Sequence, residues 1–200
     1  MANYKCQQKT ISVRILVACE YSGIVRDAFT AKGHDAWSCD VLPTESPGNH
    51  IQDDVLNHLD KGWDMMIAHP PCTHLSVSGA RWFTEGKKPL YLREQALDFV
   101  KSLMDAPINK IAIENPVSVI SSHIKKSDQT INPYQFGHPE QKRTCLWLKN
   151  VANLVPTDVV TERESTKIPG NWFNKGGMER QKNRAKFWPG MANAMADQWS

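Results

Sequence analysis

The sequence predicts a doubly wound α/β domain with a mostly parallel sheet, on three observations. Short apolar runs of strand length alternate with longer segments of helical period. The runs are nearly continuous in their apolar character, as in strands buried on both faces. Each clear run is followed by polar or turn-forming residues, at Cys19-Glu20, Asp40, His69-Pro70 and Glu114-Asn115. Ligand sites of such sheets lie beyond the carboxyl ends of the strands.

Residues 13–19 read as the first strand and 22–32 as a helix closed by Gly33. A second strand covers 35–40, ending in Asp40, and 53–59 reads as a short helix. The third strand, 64–68, stops at Pro70-Pro71, and a polar loop over 73–88 precedes a helix over 90–104. Residues 110–113 give a fourth strand running into Glu114-Asn115-Pro116. A fifth strand is expected over 144–148, a sixth ending at Val159, and a final Ala/Met helix over 190–199.

Two hundred residues, 40% hydrophobic and 22% charged, suit one soluble domain or one domain with a small appendage. That composition excludes a disordered or fibrous chain. No apolar run reaches the roughly 18–20 residues of a membrane span. The start, MANYKCQQKT, lacks the apolar stretch of a secretory signal, so a cytoplasmic location is expected. The five cysteines (6, 19, 39, 72 and 145) are odd in number and far apart, which suggests neither a disulfide framework nor a paired zinc site.

The net charge of +3 is unevenly placed: residues 1–160 balance 17 basic against 17 acidic groups, and 161–200 carry 7 against 4. Lys175, Arg180, Lys182, Arg184 and Lys186 are interleaved there with Trp172, Phe173, Phe187 and Trp188. Basic and aromatic residues together suit a nucleic-acid contact. A solvated face with aromatic anchors has the same composition.

Four constellations can carry chemistry. Cys19-Glu20-Tyr21-Ser22-Gly23 feeds a helix N-terminus, whose backbone N–H groups suit a ligand carboxylate or phosphate, or form a plain turn. Asp40 stands where an acid accepts ribose hydroxyls. In His69-Pro70-Pro71-Cys72-Thr73-His74 two prolines stiffen the exit from a strand and present a thiol, a candidate nucleophile. His69, Cys72 and His74 are also possible metal ligands, without a matching second cluster. Glu114 is placed for proton exchange, and Arg143 of Gln141-Lys142-Arg143 for clamping a carbonyl or phosphate.

In chain order, Pro71-Cys72-Thr73 with Leu75-Ser76 and Gly79, Glu114-Asn115-Pro116, and Gln141-Lys142-Arg143 resemble the motifs of the DNA (cytosine-5)-methyltransferases. The resemblance spans about residues 13–148. It implies a Rossmann-like class I methyltransferase fold and S-adenosyl-L-methionine as cofactor. It also implies methyl transfer to C5 of cytosine in duplex or single-stranded DNA. By that resemblance Cys72, Glu114 and Arg143 are catalytic. Glu20, Tyr21, Ser22, Gly23, Asp40, Val41, Asp54, Val55 and Pro70 would hold the cofactor, and Ser76 and Gln141 the substrate, over which the long polar loop carrying Arg81 could close. Lys182 and Arg184 of the basic segment would supply phosphate contacts.

The chain departs from the family in three places. Its first glycine motif is reduced to one glycine, Gly23, and Cys145 stands where a second arginine is usual. The target-recognition domain is cut to about 40 residues. The expected organisation is therefore a cofactor-binding catalytic domain over 1–150 and a reduced, basic segment with a closing helix over 151–200. Two alternatives stay open: a non-catalytic cofactor- or DNA-binding relative, and an enzyme acting on RNA or a nucleotide. Oligomeric state is not legible.

Overall fold

A computed structural model of the chain describes residues 12–165 and 187–200. Seven strands form one sheet in the order β3-β2-β1-β4-β5-β8-β6. They are β1 (Arg14–Ala18), β2 (Asp35–Asp40), β3 (His50–Gln52), β4 (Met65–Ala68), β5 (Lys110–Pro116), β6 (Gln129–Ile131) and β8 (Thr144–Lys149). The first five run parallel, and β8 is antiparallel to both its neighbours. A separate parallel pair joins β7 (Glu140–Gln141) to β9 (Glu164–Ser165). The fold is α/β, mostly parallel and Rossmann-like in its strand order.

The pleat sorts side chains to two apolar layers. Ile15, Val17, Met65 and Ile67 face α1 (Ile24–Ala31) and α5 (Pro189–Trp199), where Phe29, Met191 and Met195 are fully buried. Leu16, Ala18, Met66 and Ile113 face α3 (Leu90–Met104) and the short α4 (Ile120–His123), through Val100, Leu103 and Ile120. Each of these Val, Leu, Ile, Phe and Met side chains contributes about 1.5–3 kcal/mol by leaving water.

Two local devices fix the segments that carry the candidate site. The buried Glu20 carboxylate accepts the N–H groups of Val25 (2.7 Å) and Arg26 (3.2 Å), capping α1 where the helix dipole favours negative charge. The Arg26 guanidinium, buried in turn, donates to Ser38 Oγ, Ser46 Oγ and the Pro47 carbonyl. It thereby folds the connection after Asp40 back over α1.

The helix expected over 22–32 begins at Ile24, with Gly23 left-handed (φ 78°) as its N-cap. The short helix at 53–59 is a 3₁₀ turn, Val55–His58. Residues 73–88 are not a structureless loop: they hold a 3₁₀ turn, Val77–Gly79, and a helical turn, α2 (Arg81–Thr84). No strand ends at Val159, which is exposed; the segment makes a single bridge, Asp158 to Phe136, because it crosses the surface instead of joining the sheet.

Candidate functional site

The winding of the sheet reverses between β1 and β4, which pair in register from Ile15–Met65 to Ala18–Ala68. A crevice opens beyond their carboxyl ends, the switch point of a doubly wound sheet. Cys19, Glu20, Tyr21 and Ser22 line it on the β1 side, His69 on the β4 side, with the Phe187 ring tilted by 51° against the His69 ring at 4.8 Å. Because β8 runs antiparallel, its first residues return to this same edge: Thr144 pairs with Pro116, so Arg143 lies just beyond the end of β5.

The Pro-Pro-Cys loop is fastened along the end of β5. Asn115, buried, donates from Nδ2 to the Pro70 carbonyl at 2.8 Å. His69 Nδ1 lies 3.1 Å from Glu114 Oε2. Further on, Val77 N–H donates to the Val117 carbonyl, Val119 N–H to the Leu75 carbonyl, and Ser76 bridges Ser118. Within the loop the Cys72 carbonyl accepts Leu75 and Ser76 N–H. A half-buried thiol and a carboxyl group from segments more than 40 residues apart are thus held on one frame.

The other described cysteines differ. Cys19 lies one residue past β1 in a left-handed conformation (φ 59°), and burial, then Asp40 and Cys39, push its thiol far above the ordinary range. Burial, with Asp53 and Asp40 adding to it, pushes the Cys39 thiol up to about 12. Both stay protonated at neutral pH and do not supply a thiolate nucleophile. Cys145 is buried in β8.

Asp40 ends β2 half-buried, its Oδ1 accepting Leu42 N–H at 2.9 Å. Burial raises its carboxyl pKa above the usual value despite that bond. Beside it Val41 and Leu42 are exposed aliphatics, Val41 to 68%. Asp54 caps the following turn by accepting Leu56 N–H; Val55 is buried in the core, and Leu56 is the exposed side chain there.

Around α2, cations lie over aromatic rings. Arg81 sits 4.7 Å and Lys87 4.9 Å from the Trp82 ring, and Arg93 4.0 Å from that of Phe83. Gln141 and Arg143 are exposed, and Lys142 lies 4.8 Å over Trp188. Lys182 and Arg184 fall outside the described residues.

Among the described residues no three His, Cys, Asp or Glu side chains converge on a metal site. No helix among them is long and apolar enough to cross a membrane. Several buried polar atoms have no hydrogen-bond partner there, and four of them (His69 Nε2, His74 Nδ1, Asn115 Oδ1 and Ser118 Oγ) belong to the two fastened segments. Sequence reasoning missed the pairing of His69 with Glu114 and of Asn115 with Pro70, since both join strand ends distant in the chain.

No family model matches the chain, and no curated protein matches its sequence. Among solved structures it is similar to an E. coli protein described as a candidate DNA modification methyltransferase encoded within a prophage. The two are 12% identical with a TM-score of 0.48, over 74% of this chain and 52% of that one. The chain thus spans about half the length of that structure. Nothing of that protein's chemistry transfers at this distance.

Proposed function

We propose that the chain is an S-adenosylmethionine-dependent methyltransferase that modifies C5 of cytosine in DNA through a covalent Cys72 adduct. The observation carrying this reading is the fastening of the Cys72 loop to the Glu114-Asn115-Pro116 strand end. A nucleophile and an acid that must meet the same planar ring have to be held in fixed relation.

The residues at the switch point fit the cofactor. Asp40 offers a carboxylate to ribose hydroxyls, Val41, Leu42 and Leu56 an apolar surface for adenine, and His69 an unused hydrogen-bonding position. When bound, S-adenosylmethionine supplies an electrophilic methyl group. Cytosine C5 is by itself too weak a nucleophile to take it, and Cys72 changes that. Its thiolate forms a bond to C6, and the C5=C6 electron pair moves toward C5, spreading charge onto N3 and O2.

Glu114 has one carboxyl oxygen against His69 and a second left to carry a proton, which it gives to N3. Arg143 donates to O2 and stabilises the same developing charge. After methylation water removes the C5 proton. The electron pair left behind restores C5=C6, the C6–S bond breaks, Cys72 leaves as thiolate, and Glu114 regains its proton from N3.

The cations over Trp82 and Phe83 suit phosphate contacts beside a base displaced from its stack, which costs a few kcal/mol in a duplex. The test is transfer of labelled methyl from S-adenosylmethionine to duplex DNA, single-stranded DNA and tRNA. Label is expected in DNA, reduced at least about 1,000-fold in Cys72→Ala. A folded protein that labels neither form of DNA contradicts the proposal, and label confined to tRNA moves the substrate to RNA.

A further inference from the structure

His69 is the residue common to both halves of the site. Its Nδ1 faces Glu114 Oε2 at 3.1 Å, and both side chains are 12% exposed. Its backbone N–H donates to the Ala18 carbonyl at 2.9 Å, which holds it against the end of β1. Its ring lines the crevice with Cys19, Glu20, Tyr21, Ser22 and Phe187, and its buried Nε2 has no partner among the described residues.

The chemistry of the ligand group that completes Nε2 follows from these contacts. The Nδ1–H tautomer donates to the unprotonated oxygen of the Glu114 carboxyl group and leaves Nε2 as an acceptor. The missing partner is therefore a donor. Among the described residues the lining includes one carboxylate, Glu20, and no lysine or arginine, while Phe187 adds an aromatic ring. Such surroundings favour a cationic donor.

We propose that His69 Nε2 accepts a hydrogen bond from the α-ammonium of the cofactor's amino-acid end, while Nδ1–H fixes the carboxyl group of Glu114. His69 is then a cofactor-binding residue on one side and a positioning residue on the other. The assignment rests on the methyltransferase reading above and adds to it a residue that ties cofactor binding to the orientation of the acid.

Two substitutions separate the two contacts. The amide of His69→Asn reaches about as far as Nδ1 and keeps a donor for Glu114 while deleting Nε2. The amide of His69→Gln reaches the Nε2 position and abandons Nδ1. Calorimetric affinities are measured for S-adenosylhomocysteine and for its analogue lacking the ammonium, beside single-turnover rates with saturating cofactor.

In the wild type, removing the ammonium weakens binding about tenfold or more, as for a charge-assisted hydrogen bond. In His69→Asn, S-adenosylhomocysteine loses that factor, the deaminated analogue binds within about twofold of its wild-type affinity, and the single-turnover rate falls less than in His69→Gln. In His69→Gln, affinity is held within about threefold and the rate falls. A purely structural histidine would weaken both ligands alike. Equal losses for both ligands, or unchanged affinity in His69→Asn, overturn the assignment. The wild-type ligand pair needs no variant to fold: equal affinity for both ligands also overturns it. If the wild type binds neither ligand, the cofactor reading itself fails.

Discussion

Asp40 is held at a cost in the ligand-free chain. Burial disfavours its charged form and raises its pKa, so the folded state binds a proton more readily there than the unfolded chain. Above that raised pKa the ionised carboxylate works against folding, and ribose hydroxyls would supply the missing hydrogen bonds. Asp40→Asn keeps an oxygen for Leu42 N–H and removes the charge. It is expected to raise the melting temperature at pH 7.5 by about 1–3 °C while weakening S-adenosylhomocysteine by about tenfold. Melting curves and calorimetry on the same preparation check this. A variant that is less stable and binds normally contradicts the role given to Asp40. The acid was legible in the sequence from its place at a strand end. Its energetic cost was not, because that depends on the 40–50 connection folded down by the buried Arg26.

At the scale of elements, α5 is bound to the rest of the domain by contacts that leave little freedom. Gln198 exchanges two hydrogen bonds with the backbone of Val155, and Trp199 Nε1 donates to the Ala152 carbonyl at 2.8 Å. At its start, Gly190 N–H donates to His138 Nε2, and a Cβ on Gly190 would stand 1.8 Å from the Phe136 carbonyl oxygen. Gly190→Ala is therefore expected to destabilise the protein by about 2–3 kcal/mol, through displacement of α5 from α1. Urea unfolding measures it, and a loss below about 0.5 kcal/mol contradicts the close packing. The strands β1, β2 and β4 and the helix α3 were readable because each has enough residues to show its pattern. β3, β6, β7 and β9 have two or three residues each, too few for any period to register. Val159 misled because one valine in an exposed crossing segment looks like the end of a buried run.

The whole molecule carries three histidines that resist protonation. Burial lowers the pKa of His34, with Lys110 adding to it, and of His74, with Lys88; burial also lowers that of His138, against Glu140 and Asp158. Above the ordinary histidine value of 6.5 these groups are neutral in folded and unfolded chains alike, and contribute no pH dependence. As the pH falls through that value the unfolded chain takes up protons that the folded one refuses, and stability drops. The melting temperature is expected to fall steadily from pH 7 to pH 5. A profile flat across that interval contradicts the assignment. At the same scale, the sheet edge at which the Cys72 loop leaves β4 was legible from a strand end followed by polar turns. The route by which Arg143 reaches it was not, since that takes an antiparallel strand pairing across β5. The claim that this edge performs cysteine-dependent methylation of cytosine is tested most directly with single-stranded DNA bearing 5-fluorocytosine and S-adenosylmethionine. Fluorine at C5 cannot leave as a proton, so the Cys72–C6 bond stays intact after methyl transfer. Intact-protein mass is predicted to rise by one methylated oligonucleotide, with the attachment on the peptide containing Cys72 and none in Cys72→Ala. No covalent increment, or attachment at another residue, would contradict the account.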